Sequence, residues 1–350
     1  MKEQYYGIQI LRFVAAIIVV ITHSFFYANQ RLGGEEIHWG NGSYGVDIFF
    51  VISGFVMVIS SSHLISEPLG WAKFSIQRLI RITPMYWLAT TIKLFVMLLS
   101  MDLVLNSGNF SVSDIVNSYL FIPYEKAGKI EPLLGVGWTL VFEMFFYLIF
   151  AFSLLVRANI YLFTGIIMIS LSLLSLFRPE SHPVYMFLFD SIVLEFWMGM
   201  LIGYLTIKNK LINKYIGLFF ATSSLLFIIL YSGKSYGIPR VVLHGIPAAI
   251  LVYSTISIEA LLKKTPKLLL YLGAASYSLY LFHSITLPAI PVVLKKFGLI
   301  NTYASVSISI FASLPMALLI YYYIENPTTK ILRKIPAISR LTHKPVTESI

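Results

Sequence analysis

Stretches of about twenty mostly apolar residues recur from one end of this chain to the other, and this recurrence constrains the fold more than any single motif. A helix needs roughly 20 such residues to cross a hydrocarbon layer about 30 Å thick. Ten windows have that length: 7–28, 44–62, 82–101, 136–156, 159–177, 185–206, 214–232, 239–261, 268–291 and 302–324. They are too long for the strands of an outer-membrane barrel. With 57% hydrophobic and 12% charged residues and a mean hydropathy of +0.80, the chain reads as an all-α integral membrane protein of about ten transmembrane helices. The first window follows Met-Lys-Glu and precedes no small-residue cleavage site, so it reads as a span and not as a cleaved signal.

Charge sets the expected orientation. With the N-terminus inside, the cytoplasmic segments carry twice as many Lys and Arg as the outer ones, which by the positive-inside rule leaves both termini in the cytoplasm. Membrane topology also accounts for the net charge of +10 without a nucleic-acid partner; the expected contact is membrane lipid. The longest connection, 102–135, falls outside and either covers a site or joins two spans. No repeat or second soluble domain is visible, so residues 1–330 read as one membrane domain and 331–350 as a short basic cytoplasmic tail. The chain has no cysteine. Thiolate metal sites and cysteine-linked acyl intermediates are thereby excluded, and chemistry falls to His, carboxylates, Arg, Tyr or hydroxyls, with no metal expected.

The first span carries Arg12 and His23. Eleven residues at about 100° each come to roughly 20° past three full turns, so the two side chains leave one helix face about 16 Å apart. Ionisable groups at such depths are functional candidates. The bland alternative is an arginine that snorkels and a histidine satisfied in the core. Sorted by expected depth, His23, Asp47, Glu143, Asp190, Arg240, His244 and His283 fall in the outer half, which predicts a polar cavity opening outward, with Arg240 and His283 as candidate acceptor-binding residues. In the inner half lie Arg12 and the pair Arg78 and Arg81. Three residues apart, that pair shares a face and forms a fork array suited to phosphate, or else anchors headgroups. Pro84 is expected in the first turn of the third span. Small residues in GVDIFFVISGF (45–55) fit helix packing, with Asp47 and Ser53 as interhelical hydrogen-bond partners. Lys93 has no evident partner, and the tyrosines near 277–280 and 321–323 read as belt and packing residues.

Taken in order, these segments resemble the acyltransferase 3 family of membrane-bound O-acyltransferases. The resemblance rests on the Arg12 to His23 spacing, GVDIFFVISGF, RLIRITPMYW at 78–87, WTLVFEMFFY at 138–147, RVVLHGIPAAI at 240–250, SYSLYLFH at 276–283 and IENP at 324–327. It implies ten core helices in a bacterial cytoplasmic (inner) membrane, in the stand-alone form without a periplasmic esterase-like domain. It further implies acetyl-CoA or a related thioester as donor and a carbohydrate hydroxyl as acceptor: O-antigen, capsule, exopolysaccharide or a lipid-linked sugar. His23 would be the essential histidine with Arg12 its motif partner, Arg78 and Arg81 would handle the donor, and Glu143 matches the acidic position of its segment.

The expected chemistry is transfer to a hydroxyl, with His23 either as general base or as transient acyl carrier. A carboxylate such as Glu143 or Asp47 would fix its tautomer. The competing readings are a transporter, in which the same charges line a path, and a non-catalytic scaffold.

Overall fold

The computed structural model describes residues 5–33, 37–99, 110–126, 128–179, 181–231, 233, 237–336 and 338. Of the expectations above, loop residues 100–109, the tail beyond 338 and the topology charges Lys2, Lys234, Arg340 and Lys344 lie outside the described residues. The helices are α1 (Tyr6–Leu32), α2 (Ser43–Ser61), α3 (Gly70–Leu99), α4 (Val112–Tyr119), α5 (Trp138–Leu155), α6 (Ile160–Leu174), α7 (Val193–Ile207), α8 (Lys214–Leu230), α9 (Gly237–Arg240), α10 (Ile246–Ser257), α11 (Lys267–Ala274), α12 (Ser276–Thr286), α13 (Ala289–Lys296), α14 (Thr302–Ile320) and α15 (Asn326–Lys334). Short 3-10 and π turns and one antiparallel hairpin of two-residue strands, β1 (Glu125–Lys126) and β2 (Lys129–Ile130), join them. Among the described residues six helices are long and apolar enough to cross a membrane, or seven if the bent pair α11–α12 is one span. Three shorter apolar helices occupy the windows at 185–206, 214–232 and 239–261. The protein is an all-helical integral membrane protein.

Close backbone approach organises the bundle. A Cβ on Gly54 would lie 1.9 Å from the Phe196 carbonyl oxygen, and one on Gly199 2.0 Å from that of Val51. Glycine at both positions lets α2 and α7 pack backbone to backbone, where a lipid-solvated bundle gains its dispersion energy. The small residues of GVDIFFVISGF thus serve packing, as expected. Phe50, Phe146 and Phe196 stack beside that crossing and link α2, α5 and α7 in the largest core cluster.

Three windows depart from straight spans. The window 268–291 breaks at Ala275, where α11 and α12 meet at a 64° bend; Gly273 lies against α1 there, its hypothetical Cβ 2.2 Å from the Gln9 carbonyl. The window 185–206 opens on a 3-10 turn, Val184–Met186, and becomes α-helical only at Val193, after Asp190 has accepted a hydrogen bond from the Ile192 amide and paired with Arg178 at 2.8 Å. The third span begins at Gly70, so Arg78 and Arg81 lie inside α3 and Pro84 sits in its interior, not in a first turn.

Two wide π turns, Val241–Gly245 and Tyr321–Glu325, each precede a proline, Pro247 and Pro327. Proline leaves the carbonyl four residues earlier without its helical donor, and the extra residue of a π turn makes room for the ring. The Leu243 carbonyl freed in this way accepts the Tyr44 hydroxyl at 3.0 Å. The segment 110–134 is fastened over α3: Tyr86 and Trp87 donate to the Ser118 and Tyr119 carbonyls, and Ser118 Oγ accepts from the Leu133 amide.

Candidate active site

One face of α1 lines two cavities. The wider, of about 1060 Å³, is bounded by Val19, His23 and Tyr27 of α1, by Lys93 of α3 and by the fastened segment through Tyr124 and Glu131. The narrower, of about 280 Å³, is bounded by Gln9 and Arg12 of α1, Arg78 and Arg81 of α3, and Glu143 and Tyr147 of α5. Val46 of α2 and Tyr280 of α12 line both, so the cavities meet at these two side chains. The Tyr280 hydroxyl is fixed at the junction, 2.9 Å from Thr139 Oγ1 and 3.2 Å from the Val136 carbonyl. The helical spacing of Arg12 and His23 therefore has the consequence read from it: one face, two depths. Of the connection 102–135, the described residues Tyr124, Lys129 and Glu131–Leu133 line the histidine cavity.

In the histidine cavity the partner of His23 is another imidazole. His23 Nδ1 lies 2.7 Å from His283 Nε2, and the rings are almost coplanar, 11° apart with centroids at 4.9 Å, an edge-to-edge arrangement. The second nitrogen of His283, Nδ1, is 3.2 Å from the Leu279 carbonyl oxygen. A carbonyl only accepts, which assigns the proton to His283 Nδ1 and leaves its Nε2 as acceptor. His23 Nδ1–H then donates, and His23 Nε2 carries the free lone pair. His283, fully buried, stands behind His23 and is absent from the cavity wall, so its expected contact with acceptor gives way to a supporting position.

The arginine cavity holds a different set. Glu143 accepts from Ser53 Oγ at 3.1 Å and from the Tyr147 hydroxyl, among the guanidiniums of Arg12, Arg78 and Arg81. Arg78 donates to Ser60 Oγ at 2.5 Å, while its Nε and Gln9 Oε1 are buried without partners among the described residues. Arg81 lies 3.8 Å from Glu325, whose other oxygen accepts from Ser278 Oγ at 2.6 Å. Arg12 makes no hydrogen bond among the described residues. Unpartnered polar atoms and surplus positive charge suit an anionic or carbonyl-bearing ligand.

The single outward cavity expected to gather seven ionisable groups is not what the helices build. Glu143 belongs with the arginines, because it projects from α5 toward α3. Asp47 points from α2 away from His23 and pairs with Arg240 at 2.6 Å, fully buried. Arg240 is thus committed to a carboxylate, and His244 stacks on Tyr44 beside them. Neither Asp47 nor Arg240 lines either cavity. Among the described residues no carboxylate contacts His23; its hydrogen-bond partner is His283.

Sequence reasoning passed over several residues. Tyr277 and Tyr280 face the arginine cavity, whereas Tyr322 and Tyr323 are 66% and 68% exposed and fit a lipid-facing belt. Glu195, an acidic residue within an apolar window, is buried next to Asp47 and Arg240. Glu325 lay one residue beyond the last window, and Glu259 caps α1 by accepting from the Tyr6 and Gly7 amides at 2.5 and 3.0 Å. A search for every carboxylate within or just past an apolar run would have found all three.

Comparison with known proteins identifies the family. The model of the Acyltransferase domain family, Acyl_transf_3, matches residues 5–323. The chain is 30% identical over 314 residues to the exopolysaccharide production protein ExoZ of Rhizobium meliloti, covering 86% of this chain and 93% of that protein. It is 27% identical to the O-acetyltransferase OatA of Staphylococcus aureus (strain COL), covering 93% of this chain and 57% of that protein. No solved structure matches. Membrane-length helices and a family match over nearly the whole chain lead to one conclusion: this protein is an integral membrane acyltransferase of the acyltransferase 3 family.

Proposed function

We propose that the protein moves an acetyl group from cytoplasmic acetyl-CoA to a hydroxyl of a cell-envelope or exported glycan across the bacterial inner membrane, through ten crossings with both termini in the cytoplasm. The observation that carries this reading is the pair of cavities meeting at Val46 and Tyr280, one lined by arginines and the other by His23. The names of ExoZ and OatA support a polysaccharide acceptor and acetyl as the group transferred. Arg12, Arg78 and Arg81 would hold the donor, with Arg78 Nε and Gln9 Oε1 as vacant donor and acceptor. A volume of about 280 Å³ suits the acyl-bearing arm and not the whole carrier.

A glycan hydroxyl is a weak nucleophile at neutral pH, so the step requires a base. In this mechanism His23 Nε2 takes the hydroxyl proton as the oxygen attacks the thioester carbonyl. The C–S bond then breaks, and the proton passes to the leaving thiolate. His283 Nε2 accepts from His23 Nδ1–H throughout, holding the productive tautomer and stabilising the imidazolium as a carboxylate does in other triads. General-base catalysis of this kind contributes about 10² to 10⁴-fold.

The test is label transfer from radioactive acetyl-CoA to glycan by protein in liposomes. His23→Ala should reduce the rate by about 10² to 10⁴-fold while purifying as folded protein. A wild type that puts no label into glycan, or a His23→Ala variant as active as wild type, sinks the reading. A trapped acetyl-His23 or ping-pong kinetics would replace direct transfer by a relay through His23.

A further inference from the structure

The histidine cavity contains a group that the transfer chemistry does not use. Lys93 projects from α3 into this cavity, half-buried, six residues before the helix ends. It makes no hydrogen bond or ion pair among the described residues, and its charged neighbours are Arg31 and Glu131. An ammonium at such depth is costly unless it meets a partner or water. Lys129 lines the same cavity, and Glu131 is the carboxylate there, itself unpaired among the described residues. Among the described lining residues positive charge therefore exceeds negative. Phe26, Tyr27 and Trp138 add aromatic surface of the kind that packs against the apolar faces of sugar rings.

We infer that the acceptor is an anionic glycan, one that bears a carboxylate or phosphate, and that Lys93 receives this anion while His23 addresses the hydroxyl. The inference rests on the reading of this cavity as the acceptor site. A neutral glycan would leave Lys93 desolvated and unpaired, whereas an anion of the acceptor supplies its missing partner. The carboxylate of an acidic sugar and the diphosphate of a lipid carrier offer the same chemistry, and they are separable.

The experiment compares three probes with protein in nanodiscs and labelled acetyl-CoA: a glucuronate-containing oligosaccharide, the same oligosaccharide with its carboxyls reduced to alcohols, and the reduced form linked to a polyprenyl diphosphate. Wild type should prefer a charged probe by about 10- to 100-fold in kcat/KM, the range of a charge-assisted hydrogen bond. Preference for the first probe identifies a sugar carboxylate, and preference for the third a carrier phosphate. Lys93→Ala should abolish the preference chiefly through KM, and Lys93→Arg should retain it. Lys93→Gln, which keeps a polar side chain, provides the same comparison if Lys93→Ala does not fold. Equal use of charged and neutral probes by wild type, or an unchanged preference in Lys93→Ala and Lys93→Gln, overturns the inference. If no probe is acetylated, the proposed function fails. Calorimetric binding of the first two probes without donor then decides the inference alone: a carboxylate preference lost in Lys93→Ala upholds it, and equal binding overturns it.

Discussion

Two buried polar regions of this protein use the same residue types to different ends. Along α1, three arginines, two lysines, two glutamates and one histidine surround open space. Behind α2, Asp47, Arg240, Glu195 and His244 fill a closed junction with α7 and the π turn at 241–245, outside both cavities. Among the described residues the first region keeps Arg78 Nε and Gln9 Oε1 without hydrogen-bond partners; the second ties Asp47 to Arg240 at 2.6 Å. An ionisable residue in a membrane helix signals a site only where the packing leaves room beside it. Without that room it is a tether between helices.

Substitutions on the two sides should separate stability from turnover. Asp47→Ala removes the fully buried carboxylate that pairs with Arg240, which should destabilise the protein by about 3–5 kcal/mol. The melting temperature in detergent should fall, while turnover per folded molecule stays close to wild type. A large loss of turnover with unchanged melting would move Asp47 into the site and break the distinction.

Arg78→Ala tests the arginine cavity. Loss of a charge-assisted contact should raise the KM for acetyl-CoA about 10- to 100-fold and leave the KM for glycan unaltered. A shift in the glycan KM instead would reverse the assignment of the two cavities.

His283→Leu removes the acceptor that fixes the His23 tautomer. We expect kcat to fall about 10- to 100-fold with both KM values retained. His283→Gln, whose side-chain oxygen also accepts, should recover part of the loss. A merely structural role predicts no such rescue.

The smallest expected effect is at the junction. Tyr280→Phe removes hydroxyl contacts to Thr139 and Val136, worth about 0.6–1 kcal/mol within a helical bundle. It should therefore alter the melting temperature only slightly and raise hydrolysis of acetyl-CoA without glycan, measured as thiol release, because the junction is held less firmly. No increase in release would limit Tyr280 to packing.

Residues of the site were legible in the sequence where one helix carries the information. Arg12 and His23 share a face because helical periodicity is local, and Arg78 and Arg81 share one for the same reason. Glycines 45 and 54 could be read as packing residues because lipid favours small side chains at helix contacts. Partner choice was not legible. Glu143 and Asp47 are equally plausible orienters of His23 by depth, yet α5 turns one toward the arginines and the rotation of α2 turns the other toward Arg240. Asp190 likewise pairs with Arg178 just before α7, outside both cavities.

The sequence by itself determined that the chain is a membrane helical bundle, that Arg12 and His23 lie on one line, and which family its ordered motifs resemble. These follow from composition, helical periodicity and motif order, none of which needs a third dimension. The tertiary structure decided that the line runs through two cavities and not one. It also decided that His23 is held by His283, that Lys93 faces His23's cavity, and that α11–α12 bends at Ala275. Each of these depends on how a helix is rotated about its axis and tilted against its neighbours, which is set by packing among distant segments.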